Sequence, residues 1–406
     1  MGTNQENAKN AIEEPQIATI KTNPFINRRM RKKTKEVKMN EKKAVNNSVT
    51  RTKLKGKKRK ERSRKLKRGK RPVSNKYKYG SMKNQAHRSP KPNCDVCKKS
   101  KKNKDCWCVG FETPGQIPNR KTPKLIMVTF DDAVTSASYV LYEELFDGRT
   151  NPNGCPVATT LFVSDLATNY DHVKDLYRKG HEIAVHTVSH RTPLNFWRNA
   201  KRRELIKEIV GMKKKLEKAG IKNVVGYRNP FLQTAGDRTF SILHKYGFVY
   251  DSTLPVSHGK LYWPFTLDNG FPLNCVISPC PSRRYPGFWE VPMLQLKDIT
   301  ATCSMFDACH RFSSNTPDGV FEFFKTNFDR HYETSMAPFP LFAHAAWMMH
   351  PAFDFRKQGF IRFLDYLESR DDVYLVNIQQ VIDWMRSPTP LADIKKDSGP
   401  LSCPGL

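Results

Sequence analysis

Short apolar runs alternate with amphipathic stretches from about residue 124 onward. Eight runs have the length and the β-branched and aromatic content of strands. They are KLIMVTF (124–130), VATTLFV (157–163), HEIAVH (181–186), NVVGYR (223–228), FVYDSTL (248–254), FWEVPM (288–293), PLFAH (340–344) and DVYLVNI (372–378). Helix-like stretches lie between them, including 134–146 and 199–219. In the second, apolar residues recur at three- and four-residue steps from Leu205 to Leu216, and Gly220 follows as a favoured residue beyond a helix end.

This alternation predicts an α/β fold with a parallel sheet. Seven or eight strand–helix units within about 260 residues predict that the sheet closes into a barrel. In such barrels the catalytic side chains lie at the C-terminal ends of the strands. Asp131, His186, Arg228, Asp251 and His344 all lie at or near predicted strand ends. The pattern therefore predicts one functional site at that end of the barrel.

Residues 255–287 interrupt the alternation. This stretch is rich in Pro, Gly and aromatic residues and contains two cysteines. We expect a long functional loop that is tied by covalent bonds. Its aromatic residues and the nearby Trp289 have two interpretations: they stack on flat ligands such as sugar rings, or they pack the loop against itself. The residues concerned are Tyr262, Trp263, Phe265 and Trp289.

A possible metal site is formed by His186 and His190 together with the pair Asp131-Asp132, which ends 54 residues upstream. Two histidines four residues apart can bind one metal ion. One Asp and two His leave a coordination position open for water, which is typical of catalytic rather than structural metal sites. Each half also has a structural interpretation: an ordinary His pair, and an Asp pair that caps the following helix.

The formal net charge of +31 is concentrated near the N-terminus. Residues 1–110 hold 35 Lys and Arg against 8 Asp and Glu, whereas the remainder holds 35 against 31. We expect residues 1–90 to be a disordered polybasic extension, because this segment has little apolar surface to bury. It could contact polyanions nonspecifically. Aromatic residues do not interleave with the charges and no nucleic-acid-binding fold follows, which argues against a nucleic-acid-binding protein.

Ten cysteines lie between residues 94 and 403, and their even number favours disulfides and an oxidising compartment. The alternative, a zinc site at 94–108, is weaker because the C-x-C half has poor spacing for zinc. We expect a secreted monomer, although the first thirty residues lack the apolar core of a secretory signal. No apolar stretch approaches the ~18 residues needed to span a membrane. We divide the chain into 1–90, a cysteine-rich lead-in (91–120), a catalytic domain (121–390) and a tail (391–406).

Five motifs carry a family resemblance: TFDDA (129–133), HTVSH (186–190), YRNPFL (227–232), YDSTL (250–254) and LFAHAAW (341–347). With the flanking signatures around Cys155 and at 280–293, they make residues 94–388 resemble a chitin deacetylase of the arthropod and nematode type, within carbohydrate esterase family 4. The resemblance implies a distorted (β/α)7–8 barrel of the polysaccharide deacetylase type. It also implies a divalent metal, usually zinc, bound by Asp132, His186 and His190.

The resemblance also implies catalytic roles. Asp131 would be the general base, Arg228 would hold its carboxylate ionised, and His344 would be the general acid. Asp251 is the candidate for an aspartate that orients His344. The implied activity is hydrolytic N-deacetylation of chitin or related N-acetylglucosamine polymers, and the alternative is a catalytically weak matrix protein that binds and organises chitin.

Overall fold

The computed structural model describes residue 97 and residues 105–403. Its strands are β1 (Lys124–Asp132), β2 (Thr160–Val163), β3 (Glu182–Val185), β4 (Gly226–Tyr227), β5 (Tyr250–Asp251), β6 (Pro255–Val256), β7 (Phe265–Leu267), β8 (Tyr285–Glu290), β9 (Met293–Leu294), β10 (Leu296–Lys297), β11 (Thr302–Cys303), β12 (Phe339–His344) and β13 (Val373–Leu375). Its helices are α1 (Ser136–Phe146), α2 (Tyr170–Arg178), α3 (Asn195–Asn199), α4 (Arg202–Lys218), α5 (Asp237–Lys245), α6 (Pro317–Thr334), α7 (Ala346–Met349), α8 (Asp354–Glu368) and α9 (Ile378–Arg386). Each of the eight predicted runs contains part of a strand. The extension predicted for residues 1–90 lies outside the described residues.

The central sheet has the strand order β12-β1-β2-β3-β4-β5-β8-β7, and β13 pairs with β1. All of these pairs are parallel except β7–β8. Among the described residues, the order of hydrogen-bonded strands begins with β12 and ends with β7. The short strand β9 contacts β12 at the first of these two edges. The prediction of an α/β fold with a mostly parallel sheet is therefore confirmed.

The strand β1 shows how the core positions the site. Leu125 and Met127 belong to one buried apolar cluster, and Ile126 and Val128 belong to another on the opposite face of the strand. A parallel strand that is buried on both faces reads as a continuous apolar run, which is the pattern seen in the sequence. Only Asp132, the last residue of β1, is partly exposed. The last two residues of β1, Asp131 and Asp132, therefore lie at the boundary between the buried core and solvent.

Disulfides join the described parts of the chain at four places. The pairs are Cys97–Cys106, Cys155–Cys403, Cys275–Cys280 and Cys303–Cys309. Cys108 is also disulfide-bonded. The alternative of a zinc site within 94–108 is wrong, because Cys97 and Cys106 are bonded to each other. Within the described range, no helix is long and apolar enough to cross a bilayer.

The stretch 255–287, predicted as one long loop, contains the short strands β6 and β7 and the start of β8. The predicted covalent tie is confirmed by the disulfide Cys275–Cys280. Of its proposed stacking residues, Trp263, Phe265 and Trp289 are buried, so the packing interpretation holds for these three. Trp263 stacks on Trp384 with ring centroids 5.7 Å apart. Tyr262 differs, because it is partly exposed and stacks on the exposed Phe111 at 4.7 Å.

Candidate active site

The carboxyl ends of β1, β3 and β12 meet at one edge of the sheet. The parallel register places Asp131 opposite His344 and Asp132 opposite Val163. His186 directly follows β3, and its backbone N–H donates to the carbonyl oxygen of Val163. Because parallel strands present their carboxyl ends at the same edge, side chains far apart in sequence converge there.

Asp132, His186 and His190 form what we call the ligand cluster. Their candidate ligand atoms all lie within 4.8 Å of one another. Oδ1 of Asp132 lies 3.4 Å from Nε2 of His190 and 3.8 Å from Nε2 of His186. One carboxylate and two imidazoles on converging segments are a donor set that fits a divalent transition-metal cation.

The second ring nitrogen of His186 fixes how it presents the first. Nδ1–H of His186 donates to the carbonyl oxygen of Arg228 at 3.0 Å, which aims Nε2 at the ligand cluster. Burial lowers the pKa of His186 to about 4, against the opposing charges of Asp131 and Asp132. The ring is therefore neutral near pH 7 and carries its lone pair on Nε2, as a metal ligand must.

Three residues at this edge have left-handed backbone conformations that are unusual for residues other than glycine. The φ angles are 87° at Asp132, 73° at Thr187 and 42° at His190. Such conformations cost roughly 1–3 kcal/mol each and cluster at functional sites. The alternative that the Asp pair caps the following helix is wrong, because Thr135 caps α1 by accepting from the backbone N–H of Ser138.

Asp131 is buried against Arg228. Nη1 of Arg228 donates to Oδ1 of Asp131 at 2.6 Å and to the hydroxyl of Thr129 at 2.9 Å, and its Nε donates to the carbonyl oxygen of Ser252 at 2.7 Å. Burial raises the pKa of Asp131, but Arg228, followed by His186 and His344, outweighs this and holds that pKa below its usual value. Asp131 is therefore a buried carboxylate that stays ionised.

His344 is oriented by a carboxylate that the sequence did not reveal. Nδ1–H of His344 donates to Oδ2 of Asp307 at 2.6 Å, and the same oxygen accepts from the His344 backbone N–H at 3.3 Å. Burial lowers the pKa of His344, but the Asp307 hydrogen bond and the charges of Asp131 and Asp132 raise it to about 9. The protonated ring directs Nε2 toward Asp132, whose Oδ2 lies 4.0 Å away.

The prediction that Asp251 orients His344 is wrong. Asp251 is fully buried at the end of β5, where it accepts from the backbone N–H and the hydroxyl of Thr253 at 2.9 and 2.7 Å. Its register partner on β8 is Glu290, which is also fully buried. Burial, opposed by the hydrogen bonds from Thr253, raises the pKa of Asp251 to about 7. This carboxyl group stabilises the turn after β5, which in turn supplies acceptors to Arg228.

The loop that carries Asp307 is held in two ways. The disulfide Cys303–Cys309 joins two residues six positions apart, and Asp307 lies between them. The buried carboxylate of Asp298 also accepts hydrogen bonds of 2.6–3.1 Å from four backbone N–H groups, two before Cys303 and two after Cys309 in the chain. The donors are Thr300, Ala301, His310 and Arg311. An aspartate inside a short cysteine bracket is the sequence signal that could have pointed to Asp307.

The chain is similar to several known proteins. A model of the family described as polysaccharide deacetylase matches residues 119–250. The chain is 37% identical over 311 residues to chitin deacetylase 8 of Bombyx mori, covering 74% of this chain and 81% of that protein. It is 38% identical over 311 residues to chitin deacetylase 1 of Bombyx mori, covering 72% of this chain and 56% of that protein. A solved probable polysaccharide deacetylase from Pseudomonas aeruginosa PAO1 matches with a TM-score of 0.47 and 15% identity, covering 68% of this chain and 95% of that one.

The fold and site together define an α/β protein with a candidate metal centre at the carboxyl edge of a parallel sheet. A carboxylate paired with arginine and an imidazole paired with a carboxylate flank that centre. The extent of the similarity to chitin deacetylase 8 then identifies the family more closely. The chain belongs to the polysaccharide deacetylase family.

Proposed function

We propose that the protein is a divalent-metal-dependent hydrolase that removes N-acetyl groups from chitin or related N-acetylglucosamine polymers. Acetate and glucosamine units would be the products. The observation that carries this proposal is that the ligand cluster, the Asp131–Arg228 pair and the His344–Asp307 pair meet at one edge. The similarity to the chitin deacetylases of Bombyx mori supports the substrate class.

Zinc is the proposed metal, because two imidazoles and one carboxylate with an open position suit it. A bound divalent cation would polarise the acetamide carbonyl and lower the pKa of the attacking water. Asp131 accepts the proton of that water. Its pKa below the usual value keeps it ionised, and the fixed hydrogen bond from Arg228 keeps one of its oxygens in place.

His344 supplies the second proton transfer. An amide nitrogen is a poor leaving group until it is protonated, and His344 carries a proton on Nε2 at neutral pH. Asp307 holds the ring by its opposite nitrogen, so the acidic proton faces the ligand cluster. One group accepts a proton and the other donates one, which is the division of roles that amide hydrolysis requires.

We also propose that the protein works outside the cell or in another oxidising compartment. Four disulfides are formed among the described residues, and such bonds persist under oxidising conditions. The proposed substrate is an extracellular polymer. Secretion of the full chain from cells followed by quantification of free thiols would test this: a fully reduced protein would contradict it.

The deciding experiment measures acetate release from soluble N-acetylglucosamine oligomers by the full chain produced under oxidising conditions. The metal-stripped protein is assayed alone, with zinc and with other divalent cations. Asp131→Asn removes the proposed base and keeps the side-chain shape. Asp393→Asn makes the same change at an exposed carboxylate on the 3-10 turn near the C-terminus and serves as the matched control.

We expect zinc-dependent acetate from the wild type and Asp393→Asn, and almost none from Asp131→Asn. Loss of one catalytic proton-transfer group typically lowers the rate by about 10²–10⁴-fold. A folded, metal-loaded wild type that releases no acetate would refute the proposed deacetylase activity. It would favour the alternative of a chitin-binding matrix protein. Equal activity in Asp131→Asn would refute the assigned base.

A further inference from the structure

A cavity lies near the amino end of β12, at the opposite edge of the central sheet from the ligand cluster. It has a volume of about 490 Å³, within the range of about 300–1,000 Å³ that is usual for small-ligand sites. Its walls include Phe111, Glu112, Thr113, Asn119, Ser335 and Met336. The last two precede β12 at its amino end, whereas His344 ends β12. The six residues of β12 alone separate the two ends by about 17 Å.

One wall of this cavity is an exposed aromatic platform. Phe111 is 56% exposed and stacks on Tyr262, with ring centroids 4.7 Å apart and planes 22° from parallel. Phe111 is one of the most exposed large apolar side chains among the described residues. An exposed ring that already stacks on another ring offers its free face to a flat, partly apolar ligand.

Hydrogen bonds hold the platform in place before any ligand arrives. The backbone N–H of Trp263, next to Tyr262, donates to the carbonyl oxygen of Gly110, next to Phe111, at 3.2 Å. Thr266 and Trp107 exchange further hydrogen bonds along the same two segments. A preordered platform loses little side-chain freedom when it binds, which favours affinity.

Beside the platform, the walls combine the apolar side chains of Leu261 and Met336 with polar groups and are nearly uncharged. Thr113, Asn119 and Thr334 contribute hydroxyl and amide groups, and Glu112 is the only charged side chain among the residues that line the cavity. The opposite wall is fixed, because Nζ of Lys124 donates to the carbonyl oxygen of Ser335 at 2.9 Å. A cavity without a lining cation does not suit an anionic ligand. Aromatic, hydroxyl, amide and carboxylate groups together suit a neutral sugar, whose ring has an apolar face and a hydroxyl rim.

We infer that this cavity is an accessory glycan-binding site that holds a chain of the N-acetylglucosamine polymer away from the active site. The identity of this ligand rests on the proposed function. Holding one part of an insoluble polymer would raise the effective concentration of its acetamide groups at the ligand cluster. The site therefore promotes attack on insoluble polymer and has no effect on short soluble oligomers.

The test compares the full-length wild type with Phe111→Ala, which removes the platform, and Thr113→Arg, which fills the cavity. Ile299→Ala is the matched control, because Ile299 is 65% exposed on a different surface. Binding to insoluble chitin is measured by sedimentation with metal-stripped protein, in about 0.5 M salt to screen the polybasic segment. Acetate release from insoluble chitin and from a soluble N-acetylglucosamine pentamer is measured with zinc.

We expect both site variants to bind insoluble chitin about threefold to tenfold more weakly, the range expected for loss of an aromatic contact. Acetate release should fall by a similar factor on insoluble chitin and stay unchanged on the pentamer, and Ile299→Ala should match the wild type. Unchanged binding by both variants, an equal loss on the pentamer, or a wild type that does not bind chitin would overturn the inference. Binding that depends on Phe111 without any acetate release would support the accessory site and refute the proposed function instead.

Discussion

Replacing Asp307 by asparagine keeps the shape of the side chain but removes the negative charge that faces His344. The amide oxygen can still accept the hydrogen bond from Nδ1, so the ring should stay in place. The protonated form of His344 loses a charged partner 2.6 Å away. We therefore expect Asp307→Asn to lower the pKa of His344, so that the general acid loses its proton at a lower pH.

The size of the effect follows from the difference between a charged and a neutral hydrogen bond. Hydrogen bonds to charged groups contribute about 1.5–3 kcal/mol, and neutral ones contribute about half of that. The His344 side chain is 36% exposed, so solvent screening reduces the difference to about 1 kcal/mol. This corresponds to a basic limb of the pH–rate profile that moves down by about half to one pH unit, and to a fall of about fivefold in kcat at pH values on that limb.

The assay is the pH dependence of kcat for acetate release from a soluble N-acetylglucosamine oligomer at saturating zinc, which reports groups in the enzyme–substrate complex. Asp251→Asn is the matched control, because Asp251 contacts Thr253 and not His344. It should leave the basic limb in place. The reasoning would be refuted if Asp307→Asn left the basic limb in place, or if Asp251→Asn moved it by the same amount.

Three further predictions concern the structure around the site. Arg228→Met leaves the Asp131 charge buried without a partner, so urea unfolding should show a loss of about 3–5 kcal/mol, and an unchanged midpoint would contradict the buried pair. Burial lowers the pKa of His331 to about 4. As the pH falls from 6.5 to 4, the histidine is therefore protonated in the unfolded state before it is protonated in the folded state. This difference should lower the free energy of unfolding by about 3 kcal/mol over that range. His331→Gln should flatten that part of the pH–stability curve, and an unchanged slope would argue against a buried neutral ring. Opening Cys303–Cys309 with serines should lower stability by about 2 kcal/mol and also lower kcat, whereas opening the disulfide of the 255–287 loop should affect stability alone. Equal kcat in both serine variants would refute the role of Cys303–Cys309 in positioning Asp307.

Much of the scaffold and the ligand cluster could be predicted from local sequence patterns. The run before Asp131 is apolar at every position because β1 is buried on both faces, and this pattern is legible without any knowledge of its neighbours. His186 and His190 belong to one short segment, and together with the Asp pair after the apolar run their spacing indicates a shared metal ion. The aromatic residues of 255–287 could not be assigned in this way. Trp263 and Tyr262 are adjacent and chemically alike, yet one is buried against Trp384 and the other stacks on the exposed Phe111.

The sequence by itself determined the parallel strands of the central sheet, the α/β class and the residues at the ends of those strands, because each depends on residue type and on spacing within a few positions. Tertiary structure alone decided which carboxylate orients His344. Asp307 lies 37 positions away in a loop without periodicity, and Asp251 lies at a strand end as a catalytic residue would. The choice depends on how the loop held by Asp298 and Cys303–Cys309 packs beside β12, and contacts between segments that are distant in sequence have no signature in the pattern of either one.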